Sequence, residues 1–407
     1  MLIKIVWKNI WAKKLNSFLC ILLMMFGISI ISLLINIGNQ MQDKFSKNIS
    51  GIDMVVGAKG SPLQLILSGV YQIDAPTGNI PISELQSLQT NPLVKQVLPL
   101  SMGDNYQGFR IVGTTYPYLK HFEAAYAAGV VFKNNMEVVL GATVARKLNL
   151  KLNESFASSH GFEKEGEAHG DKKYKVVGIL KSNNSVIDNL ILCNLKSIWE
   201  IHEHEEENAT ETLEEHAEHA NEAAEDDFDI TCALVKFRSP MGLMTIPRLI
   251  NQNTKMQAAL PAIEINRLFE LMGIGIDAFK ALAFAIMLIS GISVFVTLYN
   301  ALKERKYEMA LMLSMGGKRT KLFFMLMFEG LFLGISGYIL GILLSRIGLW
   351  IASRMLDQNF NFDLQQSMLQ KEEIYLLIAA LLVGIFAAII PSLGIYRINI
   401  SKTLAND

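Results

Sequence analysis

Four stretches of the chain are apolar at nearly every position, at residues 17–38, 281–302, 322–349 and 374–396. Each is long enough, as a helix, to cross a hydrocarbon core of about 30 Å. The first, "SFLCILLMMFGISIISLLINIG", is too long for the apolar part of a cleaved signal peptide, and no small-residue cleavage site follows it. Cys20 stands at the wrong end of that run for lipoprotein processing, so the run reads as an uncleaved anchor.

Between the first and second runs the pattern changes to short alternating or β-branched segments. "MEVVLGATVARKLNL" (136–150) reads as a strand, a Gly turn and a short amphipathic helix. "KYKVVGIL" (173–180), "NLILCNL" (189–195) and "TCALVKF" (231–237) read as strands. Two polar inserts, 158–172 and 201–229, separate them, and the stretch from Met244 to Lys280 is expected to turn helical and feed directly into the second span. The predicted fold class is a membrane protein with four transmembrane α-helices, one and then three, around a large mixed α/β extracytoplasmic domain.

Charge fixes the orientation. Lys4, Lys8, Lys13 and Lys14 precede the first span; Lys303, Arg305, Lys306, Lys318, Arg319 and Lys321 lie between the second and third; Arg397 and Lys402 follow the fourth. Basic residues collect in short cytoplasmic loops. Residues 1–16, 303–321 and 397–407 are therefore predicted to be cytoplasmic, while 39–280 and 350–373 lie outside. Ile3, Val6, Trp7, Ile10 and Trp11, with lysines between, predict an amphipathic helix lying in the inner lipid interface. Just over half of the residues are hydrophobic and 18% charged, as suits a membrane chain, and no nucleic-acid partner is expected. Cys20, Cys193 and Cys232 are too few and too scattered for a disulfide scaffold; only the last two could pair.

The insert "IHEHEEENATETLEEHAEHANEAAEDDFD" carries four of seven histidines, thirteen of thirty-eight carboxylates and no Lys or Arg. His202 and His204 form an HxH pair, and His216 and His219 lie at i, i+3 on one face of a helix, spacings that suit zinc or copper. The plainer alternative is a solvated excursion between strands, because such pairs arise readily in this composition. No nucleotide site is expected. "GGKRT" at 316–320 lacks the phosphate-loop spacing and has Arg319 where a magnesium-binding hydroxyl would stand, and "GAKGS" at 57–61 fails similarly. No nucleophile–base set is found, so the chain is not expected to be an enzyme.

The inner loop "KERKYEMALMLSMGGKRTKL" predicts a short amphipathic helix with Met309, Leu311, Met312 and Met315 as its apolar residues, ended by Gly316 and Gly317. It resembles the coupling segment of ABC-transporter permeases of the MacB/FtsX/LolC type. Arg305, Glu308, Ala310, Leu313 and Gly316 fall on that segment's characteristic positions, with Met309 among them. Ser314 and Gly317 replace usual alanines. "VWKNIWAKKLNSFLCILLMMFGISI", "EVVLGATVARKLNLKLNESF", "FEGLFLGISGYILG" and "IIPSLGIYRINISKTL" resemble other parts of the same family, in order. The likeness is weakest over 39–117 and absent from the histidine-rich insert.

What the resemblance implies is a permease in the bacterial cytoplasmic membrane, working as two permease subunits with a separate cytoplasmic ATPase that supplies ATP and magnesium. Motion passes through the spans to the external domain, for lipoprotein or lipid handling or for export, in some members with a periplasmic partner. Within the third span, Glu329 is an intramembrane carboxylate expected to partner the basic loop. Gly330, Gly334, Gly337 and Gly341 predict a face that packs closely on another helix. The competing reading from composition alone is a membrane-anchored metal sensor built on the histidine insert.

Overall fold

The structure is a computed structural model that describes residues 11, 14–161, 168–201, 228–360, 370–399 and 403. Most of the expected inner interfacial helix, the histidine insert with His202, His204, His216 and His219, and residues 361–369 of the outer loop at 350–373 lie outside those residues. The described chain divides into two units, one of residues 1–41 and 270–407, the other of 42–269.

The first unit is helical. Four helices, Lys14–Ile49, Pro261–Glu304, Arg319–Phe360 and Lys371–Leu393, contain stretches long and apolar enough to cross a membrane. Three of them are much longer than the apolar runs that predict them, and the third runs eleven residues past Leu349 into the expected outer loop. The first continues eleven residues past Gly38, and the second starts twenty residues before Ala281, so both carry on beyond the unit boundary as polar helix. The short helix Lys306–Ser314 joins the second span to the third. Near the ends of the spans the packing is apolar, around Val294, Leu298, Met309, Leu326 and Ala388; elsewhere it rests on small residues and on a polar cluster described below.

The second unit is built on a ten-stranded mixed sheet. Its strands are β1 (Met54–Ala58), β3 (Val94–Tyr106), β4 (Phe109–Thr114), β5 (Tyr126–Gly129), β6 (Glu137–Leu140), β7 (Ser155–His160), β8 (Ala168–Leu180), β9 (Ile191–Asn194), β11 (Cys232–Phe237) and β12 (Met256–Ala259). The order is β12-β1-β11-β3-β4-β9-β6-β8-β5, with β7 pairing β3 and β8. A two-stranded pair, β2 (Ile80–Pro81) and β10 (Asp229–Ile230), stands apart. β3 organises the whole: its first half pairs β11 and its second half β4 and β7, with a bulge between Met102 and Asp104. Two apolar cores flank it, one around Met54, Leu85, Ala233 and Ile246, the other around Ile111, Leu140, Tyr174 and Val176.

Three sequence expectations change here. Residues 244–280 are not continuously helical. A helix at Pro240–Asn253 gives way to β12, which completes the edge of β1 through Val55↔Ala259, before the long helix starts at Pro261. The insert at 158–172 is narrower than its polarity implies, since β7 reaches His160 and β8 begins at Ala168. The apolar residues of the coupling helix also divide differently: Met309, Ala310 and Leu313 are buried, whereas Leu311, Met312 and Met315 are exposed. The three cysteines are free and buried, so Cys193 and Cys232 do not pair.

Candidate functional site

The coupling segment is closed at both ends by its own backbone. Arg305 leaves helical geometry (φ −97°, ψ 14°) and breaks the second span from the short helix, and Glu308 sits in the first turn, where a carboxylate complements the helix dipole. At the other end the Gly316 N–H donates to Leu313 O at 3.1 Å and the Gly317 N–H to Met312 O at 2.9 Å, the paired bonds of a Schellman closure. That closure needs Gly316 at φ +91°, a region costly for residues with a Cβ. A Cβ on Gly317 would come within 2.6 Å of Met312 O. Gly316 is therefore required by its backbone, Gly317 leaves room for the Met312 carbonyl, and the turn delivers the chain straight into the third span at Arg319.

Met309, Ala310 and Leu313 anchor one side of this helix in the apolar core with Leu298, Met325 and Ile395. The other side presents Tyr307, Glu308, Leu311, Met312 and Met315, the last 81% exposed. An exposed strip that mixes three large apolar side chains with a carboxylate is suited to a partner's groove. Arg305 reaches back to the third span, its guanidinium 3.9 Å from the Glu329 carboxylate, which is buried. Arg319 donates to the carbonyls of Tyr396 and, at 3.2 Å, Ile398, fastening the chain after the fourth span to the start of the third.

The glycine face of the third span divides between two neighbours. At Gly330 a Cβ would stand 2.6 Å from Gly384 O, and at Gly384 one would stand 2.7 Å from Gly330 O, so the third and fourth spans touch backbone to backbone. Gly334 lies similarly against Ala380 O at 3.0 Å. Further along, Gly337 and Gly341 face the first span, with Cβ positions 2.8 Å from Met24 Cβ and 2.9 Å from Ile28 Cβ. The four glycines pack within the subunit, on two different helices.

A polar cluster that the sequence reading missed lies towards the other end of the same bundle. Glu373, fully buried in the first turn of the fourth span, accepts from Arg346 Nη2 at 2.7 and 2.9 Å, from Ser32 Oγ at 2.7 Å and from Asn36 Nδ2 at 2.9 Å. Ser345 Oγ lies 2.9 Å from Ser32 Oγ, and Tyr338 Oη donates to Glu373 O at 3.2 Å. One carboxylate thus gathers the first, third and fourth spans. An arginine inside the apolar run 322–349 is the signal that could have exposed it.

In the sheet unit, the end of the first long helix is held by side chains. Tyr71 Oη donates to Phe45 O at 2.9 Å, Phe45 packs on Tyr71 and Phe269 with ring centroids 4.4 and 5.6 Å apart, and Val186 N–H donates to Asn48 Oδ1 at 3.0 Å. Lys47 Nζ donates to Asn183 O. The residues bordering the histidine insert are also clamped. The Trp199 ring stacks on Phe228 at 4.5 Å, and its indole N–H donates to Asp229 O at 2.7 Å. With both borders fixed by their own contacts, replacing residues 202–227 by a short Gly/Ser linker is expected to move the melting temperature of the chain by less than about 3 °C, that is, under about 1 kcal/mol. A larger fall, read by thermal unfolding of the purified protein, would show that the insert holds the sheet together. Among the described residues no group of His, Cys, Asp or Glu is arranged to hold a metal ion. Burial pushes the Cys232 thiol up to about 12, so it is an inert core residue rather than a soft ligand.

Comparison with known proteins agrees with this arrangement. Residues 17–226 match the model of the MacB-like periplasmic core domain, and residues 280–400 that of the FtsX-like permease C-terminal region. No curated protein matches the chain. Among solved structures, the periplasmic region of MacB from Actinobacillus actinomycetemcomitans is 13% identical, covers 56% of this chain and 98% of its own length, and has a TM-score of 0.33. The extracellular domain of the noncanonic ABC-type transporter YknZ from Gram-positive bacteria is also 13% identical, covers 50% of this chain and 98% of its own, and scores 0.30. Those scores are too low to bear on the fold, and the family models carry the assignment. The periplasmic-core match spans more than half of the chain and the permease match takes in the remaining three spans, so the chain belongs to the FtsX-like ABC permeases with a MacB-like periplasmic core domain.

Proposed function

We propose that the chain is the membrane subunit of a mechanotransmitting ABC transporter, in which a separate cytoplasmic ATPase binds and hydrolyses ATP with magnesium and moves the coupling helix. Permeases of this type work with such an ATPase. The observation that carries the reading is the two-sided coupling helix: Met309, Ala310 and Leu313 root it in the bundle, and the exposed strip of Tyr307, Glu308, Leu311, Met312 and Met315 is left to receive the ATPase. The Arg305–Glu329 contact ties the same segment to the third span. The bundle sits in the bacterial inner membrane with the sheet unit in the periplasm. Two permease subunits form the working core, and the cargo is a lipoprotein or lipid, or an exported compound passed to a periplasmic partner. The size of the sheet unit, residues 42–269, favours those tasks over the regulation of a cell-wall hydrolase, for which a smaller external domain serves.

The test is co-purification of the full chain with an ABC ATPase, followed by Glu308→Lys. Because Glu308 is exposed and at the first turn of its helix, the variant is expected to insert and fold normally while permease-dependent ATP hydrolysis falls at least tenfold. Wild-type hydrolysis and export phenotype in a correctly inserted Glu308→Lys chain would remove the coupling assignment.

A further inference from the structure

Arg319, the residue that spoils the phosphate-loop pattern of "GGKRT", has a use elsewhere in the bundle. It is the first residue of the third helix, two positions beyond the Gly316–Gly317 closure of the coupling helix. After the fourth span the chain makes one tight turn, Gly394–Arg397, and leaves it at Ile398 in extended geometry (φ −70°, ψ 117°). Arg319 Nη1 donates to Tyr396 O and Nη2 to Ile398 O at 3.2 Å, so one guanidinium holds two carbonyls of that exit. Carbonyls at the end of a helical turn carry partial negative charge, and cationic side chains bind them. A planar fork can meet two at once, where an ammonium is a single point of charge.

Apolar contact supports the same seat. Ile395 and Ile398 are buried in one core with Met309, Ala310 and Leu313 of the coupling helix. The rings of Phe323, in the third span, and Tyr396 lie 6.1 Å apart. Gly394 sits against the second span, where a Cβ would stand 2.8 Å from Leu302 Cδ2. The coupling helix therefore rests on the end of the fourth span as well as on the start of the third. Packed side chains joined by hydrogen bonds are the physical means by which displacement of one element reaches another.

We propose that Arg319 is a positioning residue for transmission: it seats the coupling helix on the turn after the fourth span, so that the two move as one body. A push received by the coupling helix then reaches the fourth span directly, without first passing along the third. The proposal rests on the coupling role given to that helix above.

The experiment uses the full permease–ATPase complex in lipid nanodiscs, with nitroxide labels at Ser314→Cys and Arg397→Cys. Both positions are exposed, and the chain's own cysteines are buried. With Arg319 present, a single narrow label-to-label distance is expected, shifting by less than about 2 Å when a non-hydrolysable ATP analogue binds. Arg319→Gln is expected to leave the ATPase bound and its KM for ATP within about twofold. It should lower maximal permease-dependent hydrolysis at least fivefold and at least double the width of the distance distribution. Arg319→Lys keeps the charge and can reach one carbonyl, and should recover at least half of both losses. If Arg319 only caps the turn, Arg319→Gln melts at a lower temperature with hydrolysis and width unchanged, and the proposal is overturned. A distance that changes by about 5 Å or more with nucleotide in the presence of Arg319 also overturns it, since helix and turn would then move separately. That measurement stands even if Arg319→Gln proves too unstable to purify. A chain that recruits no ATPase defeats the function reading and takes the seat with it, whereas an intact complex that stays coupled in Arg319→Gln defeats the seat alone.

Discussion

Gly384→Leu is expected to leave no folded permease. A Cβ at Gly384 stands 2.7 Å from Gly330 O and one at Gly330 stands 2.6 Å from Gly384 O, so each side of the contact is backbone and no side chain can swing away. The third and fourth helices form the most intimate pair in the bundle, and relief would require them to separate along their length. Overpacking a tight core usually costs about 1–3 kcal/mol, and a whole branched side chain against the Gly330 main chain should exceed that range. Even Gly384→Ala should destabilise measurably. The control is Gly38→Ala: nothing lies within 4 Å of its added methyl, and replacing a helical glycine by alanine should stabilise by roughly 0.5–1 kcal/mol. Size-exclusion profiles and thermal unfolding of the detergent-solubilised chain compare the three. An intact, monodisperse Gly384→Leu protein would show that the two spans do not meet at this seam.

The second large effect is Gly141→Val in the sheet unit. Its Cβ would meet Ile187 O at 2.2 Å and Asp188 O at 2.4 Å, while the Gly141 N–H already donates to Leu190 O at 2.9 Å. The turn it would strike is rigid, because the Asp188 carboxylate accepts from Ser182 Oγ at 2.7 Å and from the Asn184 N–H at 2.9 Å. The same turn receives Asn48 through the Val186 N–H. The expected cost is about 3 kcal/mol or more, at the upper end for overpacking, because the neighbours are main chain. The melting temperature should fall by about 6 °C or more. The same variant should also loosen the end of the first long helix, seen as faster amide exchange at residues 45–49. A melting temperature within 2 °C of the parent would contradict the packing described at this turn.

The four spans were legible because a membrane selects on composition and length, both of which a single run displays. The coupling helix was legible for a local reason too, since Gly316 and Gly317 mark its end within a few residues of its start. Which of its apolar residues are buried could not be read from the sequence, because helical spacing tells which residues share a face, not which neighbour occupies it. The same limit applies to the third span. The spacing of Gly330, Gly334, Gly337 and Gly341 announces close contact, yet only the folded chain divides them between the first and fourth spans.

The Arg346–Glu373 cluster was hidden by distance. Ser32 and Asn36 are more than three hundred residues from Glu373, and Glu373 lies one position outside the apolar run that marks the fourth span. In the sheet unit, β6, β8, β9 and β11 announce themselves by β-branched residues. β12, with the sequence MQAA, has none and is a strand only because β1 offers it an edge. β3 contains Pro99 and Gly103 and bends at a bulge, which broke the alternation by which it could have been read.

The account's central claim is that nucleotide bound on the cytoplasmic side changes the part of the chain on the other side. The direct measurement is amide exchange across residues 42–49 and 261–269 of the full chain, in nanodiscs with its ATPase, with and without a non-hydrolysable ATP analogue. The account predicts a reproducible change in those segments, lost in Glu308→Lys. Exchange there that ignores nucleotide while the ATPase is bound and active would contradict it.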